Sequence, residues 1–185
     1  KLRKGSQVGS LILRIGFGQV EPNHLSAQRT GQIYAQLIAN KNLGVIENGM
    51  FLKYDYENRQ AVADPDVAGE WLLVYNEEKL YDPRKQNHKD FAMVKKDYVD
   101  GEMVPRLFKT NIGDIYTTNT LEANTSDSAE TTGVAVTEGA TLVVGDDGYL
   151  EVLGQAATAT APAFKVVAIT KLPDMQDAVK LQRVL

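Results

Sequence analysis

Thr141-Leu142-Val143-Val144-Gly145-Asp146-Asp147-Gly148-Tyr149-Leu150-Glu151-Val152-Leu153 reads as a strand, a turn and a returning strand. Asp-Gly tolerates the positive φ angles of a tight hairpin, and β-branched and aromatic residues flank it on both sides. Phe164 to Thr170 and Ala178 to Leu185 come next as two further strands, joined by a turn over Lys171 to Asp177. The sequence ends inside that last strand, which is expected to tie it into a sheet.

The same pattern runs upstream. Asn48-Gly49 lies between Val45-Ile46-Glu47 and Met50 to Tyr56, a second hairpin signature. Trp71-Leu72-Leu73-Val74-Tyr75 is the most apolar strand and carries the single tryptophan. Phe91 to Val94, Leu107 to Thr110 and Asp114 to Asn119 are further strands, and Asp100-Gly101 marks a third turn. Thr30 to Asn40 fits both helical and strand spacing, which a short apolar run leaves open. The reading is a mainly β chain, a barrel or sandwich of about ten short strands.

Residues 1–31 differ from the rest. Lys1, Arg3 and Lys4 make the start basic, and Gly5, Gly9, Gly16, Gly18 and Gly31 punctuate the stretch after it. They are read as an N-terminal arm, with an ordinary first strand as the alternative. Residues 32–185 form the β-rich domain. Within it, residues 120–140, rich in Thr, Ser, Ala, Glu and Gly, are expected to be an exposed loop. Residues 141–185 are the C-terminal hairpins. The arm's apolar residues Leu11, Leu13, Ile15 and Phe17 are the candidate partner-binding residues.

Composition narrows the chemistry. The chain has 185 residues and no cysteine, so disulfides, thiolate metal sites and cysteine nucleophiles are excluded. No apolar run approaches the roughly 20 residues of a membrane span. No secretory apolar core comes after the basic start, because Arg14, Gly16 and Gly18 interrupt it. The net charge of −4 argues against nucleic acid as the main ligand.

No catalytic, cofactor or metal site is assembled from the motifs. His24 and His88 lie in polar stretches without a second ligand at metal spacing. Asp64/Asp66, Glu77/Glu78, Asp97/Asp100 and Asp146/Asp147 are carboxylate pairs, none with the spacing of a calcium loop. Gly16-Phe17-Gly18 lacks the Lys-Ser/Thr of a phosphate loop. No Gly-x-Ser-x-Gly frame surrounds Ser6, Ser10 or Ser26. The Asn124-Thr125-Ser126 sequon stands without a secretory signal. Tyr54, Tyr56, Trp71, Tyr75 and Tyr81 cluster in sequence. They are read as packing or interface residues, with a carbohydrate platform of Tyr54, Tyr56 and Trp71 as the alternative.

Four segments carry a family resemblance: Ile15 to Ser26, Glu70 to Asp82, Leu107 to Asn119, and Phe164 to Gln182. Together they resemble structural proteins of tailed bacteriophages. The resemblance implies a non-enzymatic virion protein, an auxiliary capsid protein that decorates or cements the head. It implies a β-rich fold, the major capsid protein as partner, a homo-oligomer with a trimer foremost, and the virion as location. Other virion roles (tail, connector or head fibre) share these expectations. The family has no catalytic residues to carry over.

Overall fold

The structure, a computed structural model, describes residues 9–27, 33–34, 36–76, 91–98, 102–122, 134–154 and 159–185. The elements in the first half are β1 (Ser10–Ile12), β2 (Val20–His24), β3 (Ile33–Tyr34), β4 (Ile38–Ala39), β5 (Val45–Glu47), β6 (Phe51–Asp55), β7 (Gln60–Val62) and β8 (Leu72–Val74). Then come β9 (Ala92–Val94), a 3-10 turn over Lys95–Asp97, β10 (Leu107–Phe108), β11 (Ile115–Thr118), β12 (Val134–Val136), β13 (Thr141–Val144), β14 (Leu150–Val152), β15 (Ala163–Lys171) and β16 (Asp177–Arg183). The mainly β class is as expected. The strands outnumber the expected ten because several apolar runs split into two- or three-residue pieces.

Two six-stranded sheets dominate. Their orders are β3-β10-β8-β6-β7-β4 and β14-β13-β15-β16-β11-β2. Two ribbons, β1-β12 and β5-β9, complete the fold. All pairs are antiparallel except β4 with β7 and the single bridge between Leu121 and Leu150.

The layering results from which residues each strand buries. Between the two large sheets lies a core that includes Phe51, Leu73, Phe108, Tyr116, Leu142, Phe164, Val179 and Leu181. The Phe164 ring meets Tyr116 edge-on at 5.6 Å and Phe51 at 5.4 Å. The alternate residues of β6 and β8 point the other way. Leu52, Tyr54, Leu72 and Val74 join Ile46, Met50, Met103 and Leu107 in a second core, roofed by the β5-β9 ribbon. The first sheet is therefore buried on both faces, which is why β8 reads as an unbroken apolar run. The second sheet has one wet face, so the start of β15 alternates buried and exposed positions.

The C-terminal hairpins form as expected. β13 pairs with β14, and β15 with β16, the latter with an irregularity between Val166 and Ala168. The first turn is longer than a two-residue hairpin: Gly145 N–H donates to Tyr149 O, and Gly148 takes φ of 83°. β16 lies between β15 and β11, so the final strand is central rather than at an edge.

The Asn48-Gly49 hairpin does not form. β5 pairs with β9, whereas β6 pairs with β7 and β8. The turn instead carries the chain from the outer ribbon into the central sheet. Gly49 takes φ of 96°, and a Cβ there would lie 2.5 Å from Thr120 Cβ. Its N–H donates to Val74 O, and the Asn48 side chain exchanges hydrogen bonds with the backbone of Asn76.

Two other expectations need correction. The described N-terminal residues do not extend away as an arm. β1 pairs with β12, β2 is an edge strand beside β11, and Ile12, Val20, Leu25 and Ala27 enter the main core. The exposed-loop reading of 120–140 fits Glu138 and Gly139 but not three other described residues. Thr120 and Leu121 are buried, and Val136 of β12 packs in the core. Residues 123–133 of that stretch lie outside the described residues, as do Lys1, Arg3, Lys4 and the Asp100-Gly101 turn.

Candidate functional site

The residues between β1 and β2 form the candidate contact surface. Burial along the segment is uneven, with Ile12 inward and Arg14 half-buried, whereas Leu11, Leu13, Ile15, Gly16 and Phe17 are exposed. Ile12 enters the core and Arg14 reaches Glu47. Leu11, Leu13, Ile15 and Phe17 are 52, 41, 66 and 36% exposed. All four expected contact residues thus sit along one segment facing outward.

The segment is held from behind by a buried carboxylate. Glu47 Oε1 accepts from Arg14 Nη2 at 2.8 Å and from the Tyr149 hydroxyl at 2.6 Å, and Oε2 accepts from Gly18 N–H at 2.6 Å. Burial, then the Glu47 charge, pushes the Tyr149 phenol well above its ordinary range, so it stays protonated and keeps donating. Gly18 fits because it has no side chain: a Cβ would collide with Thr120 Oγ1 and lie 2.7 Å from Asn48 O.

A second set of bonds reaches the turn between β15 and β16. Ile15 N–H donates to Gln176 Oε1 at 2.7 Å. Gln19 Nε2 and Gln176 Nε2 both donate to Asp174 Oδ2, at 2.8 and 2.6 Å. Asn119 Oδ1 accepts from Gln19 N–H at 2.8 Å. Met175 of the same turn is exposed. Neither Glu47 nor the Gln19–Asp174–Gln176 cluster carries a local sequence signal. The one hint was Arg14, a charge inside an otherwise apolar run.

The other sequence candidates are dispersed. His24 is exposed at the end of β2. Asp64 accepts from Asp66 N–H, and Asp147 from Tyr149 N–H, so each serves its own turn. Asp97 sits in the 3-10 turn. His88, Glu77, Glu78, Asp100, Tyr81 and the Asn124 sequon lie outside the described residues. Among the described residues no three His, Asp or Glu side chains converge as a metal site.

The carbohydrate platform is not formed. Tyr54 and Trp71 are 6 and 7% exposed, whereas Tyr56 is 70% exposed. Tyr54 joins the second core, and Trp71 the first.

Protein-family models, curated proteins and solved structures yield no match to this chain.

Proposed function

We propose that the protein is a non-enzymatic structural component of a tailed-bacteriophage virion. It binds the major capsid protein lattice and decorates or cements the head, as a homo-oligomer with a trimer foremost. The observation that carries this reading is the outward row Leu11, Leu13, Ile15 and Phe17, fixed from behind by Glu47 and Gln176. Clustered exposed apolar side chains mark contact sites, and a contact segment ordered in advance loses less entropy on binding. A shell offers the same site many times, so modest contacts add through effective concentration. The doubly covered central sheet supplies a stiff body for such a clamp.

The test uses capsids lacking the protein. Adding it back should give regular density over the head in electron micrographs. The variant Leu13→Ser/Ile15→Ser/Phe17→Ser should stay folded and lose that density. Deleting residues 1–18 is a poorer test, because it removes Ile12 from the core and two donors from Glu47. Density confined to a vertex or the tail would replace the decoration role with a connector, tail or fibre role. Undiminished head binding by the triple variant would reject the row as the contact.

A further inference from the structure

Beside the end of β6 the surface opens into a cavity of about 190 Å³, lined by Tyr54, Tyr56, Gly69, Glu70, Leu72 and Lys109. Its walls are braced. The buried Lys53 ammonium donates to the carbonyls of Pro65 and Val67, both at 2.8 Å, and lies 4.7 Å from the centre of the Trp71 ring. These contacts fix the loop leading to Gly69 and Glu70. The Tyr54 and Tyr56 rings stand 5.8 Å apart, tilted by 52°. Beside Gly69 the space is open: a Cβ there would meet nothing within 4 Å.

The rim carries an unbalanced charge. Glu70 Oε2 pairs with Lys109 at 3.2 Å, and Oε1 with Arg183 at 3.0 Å. One carboxylate thus serves two cations, leaving one net positive charge in the trio. Lys109 is the outer of the two cations and, among the described residues, makes no second ion pair.

We propose that this cavity receives a single aromatic side chain of a partner protein, with an acidic residue next to it pairing with Lys109. The proposal rests on the reading of this protein as one that works through protein contacts. The volume suits one large side chain and falls short of the roughly 300–1,000 Å³ of small-molecule sites. Aromatic anchors seated in such pockets dominate many protein interfaces. A sugar fits less well, because its several hydroxyls need partners. Only two charged side chains line the cavity, and both Glu70 oxygens already accept.

Gln176 precedes β16 and Arg183 ends it, so the N-terminal row and the cavity rim lie near opposite ends of one strand, about 20 Å apart.

The experiment titrates isotope-labelled protein with N-acetyl-Phe-Asp-amide, N-acetyl-Phe-Lys-amide and glucuronate, monitoring backbone amide resonances. The acidic peptide should shift Gly69, Glu70 and Lys109 saturably, and the basic one should bind about fivefold more weakly, as an exposed charge contact allows. Lys109→Gln should erase that difference, and Tyr56→Ser should weaken both peptides. Unmoved cavity amides with both peptides would overturn the proposal. So would a stronger response to glucuronate, which would make the cavity a sugar site. Capsid binding is scored separately. Heads that bind the protein while the peptides do not would reject the cavity alone. A peptide response without head binding would reject the decoration role and leave the anchor site standing.

Discussion

Arg14 and Glu47 are joined at 2.8 Å across 33 residues of sequence. This ion pair fixes the outward row to the outer ribbon. Glu47 is buried, and Arg14 is half-buried with its Nη1 enclosed. Removing either partner therefore strands a buried group of the other. Glu47→Leu leaves a guanidinium, a backbone N–H and a tyrosine hydroxyl without an acceptor, at a cost of about 3–5 kcal/mol. Arg14→Met leaves the buried carboxylate without its cation and should cost about 3 kcal/mol. Urea unfolding of both single variants and the double variant gives the coupling, expected between about 1 and 3 kcal/mol. A coupling near zero would show that the pair does not hold the segment.

Gly18→Ala should destabilise the protein by about 1–3 kcal/mol. The new methyl meets Thr120 Oγ1, which is itself held by its 2.6 Å bond to Asn48 O and has no room to withdraw. Gly44→Ala is the matched control: nothing lies within 4 Å of its added Cβ, so it should stay within about 0.5 kcal/mol of the parent. Equal melting temperatures for the two variants would reject the close fit at Gly18.

Phe164 is where the two large sheets meet, in contact with both Tyr116 and Phe51. Phe164→Ala removes a fully buried ring from both contacts and should cost about 3–5 kcal/mol in chemical unfolding. A loss below about 1 kcal/mol would mean that the sheets close over the gap.

Two carboxyl groups give stability opposite dependences on pH. For Asp174, burial acts to raise the pKa, but hydrogen bonds from Gln19 and Gln176 outweigh it and hold the group below its ordinary 3.8. The unfolded chain then binds more protons in acid, so this contribution is present above about pH 4 and fades as pH falls through the lower folded value. Glu122 behaves the other way. Burial first, then the hydrogen bond with Glu151 and the charges of Asp147, Glu151 and Asp146, raise it above 4.5. Its contribution is complete below that value and is lost as pH rises through the folded pKa. Glu122→Gln should raise the melting temperature at pH 7 and make no difference at pH 4. Asp174→Asn should flatten the acid limb. A stability profile unchanged by both variants would reject these assignments.

Local chemistry made the all-β class and the C-terminal hairpins readable. At Asp147-Gly148 a turn residue and its neighbouring strands belong to the same short stretch. The Asn48-Gly49 pair carries the same two-residue pattern and does something else, because its flanking strands find better partners in β9 and β8. Leu11, Leu13, Ile15 and Phe17 stood out in the sequence as apolar residues in a glycine-rich stretch, and all four are exposed. What holds it was not. Glu47, Tyr149 and Gln176 come from three distant parts of the chain, and no spacing in the sequence relates them. The cavity stayed hidden for the same reason: Tyr56, Glu70 and Lys109 meet only once the central sheet has formed.

The hydrogen bond from Ile15 to Gln176 spans 161 residues. During synthesis the amino-terminal segment leaves the ribosome long before its acceptor exists. β1 and β2 must likewise wait for β12 and β11. Closing such long loops is slow, and apolar segments left waiting invite association with other nascent chains. The row of leucine, isoleucine and phenylalanine thus gains its acceptor only after Gln176 has been made. The surface proposed to meet a partner is finished only after Gln176 has been translated.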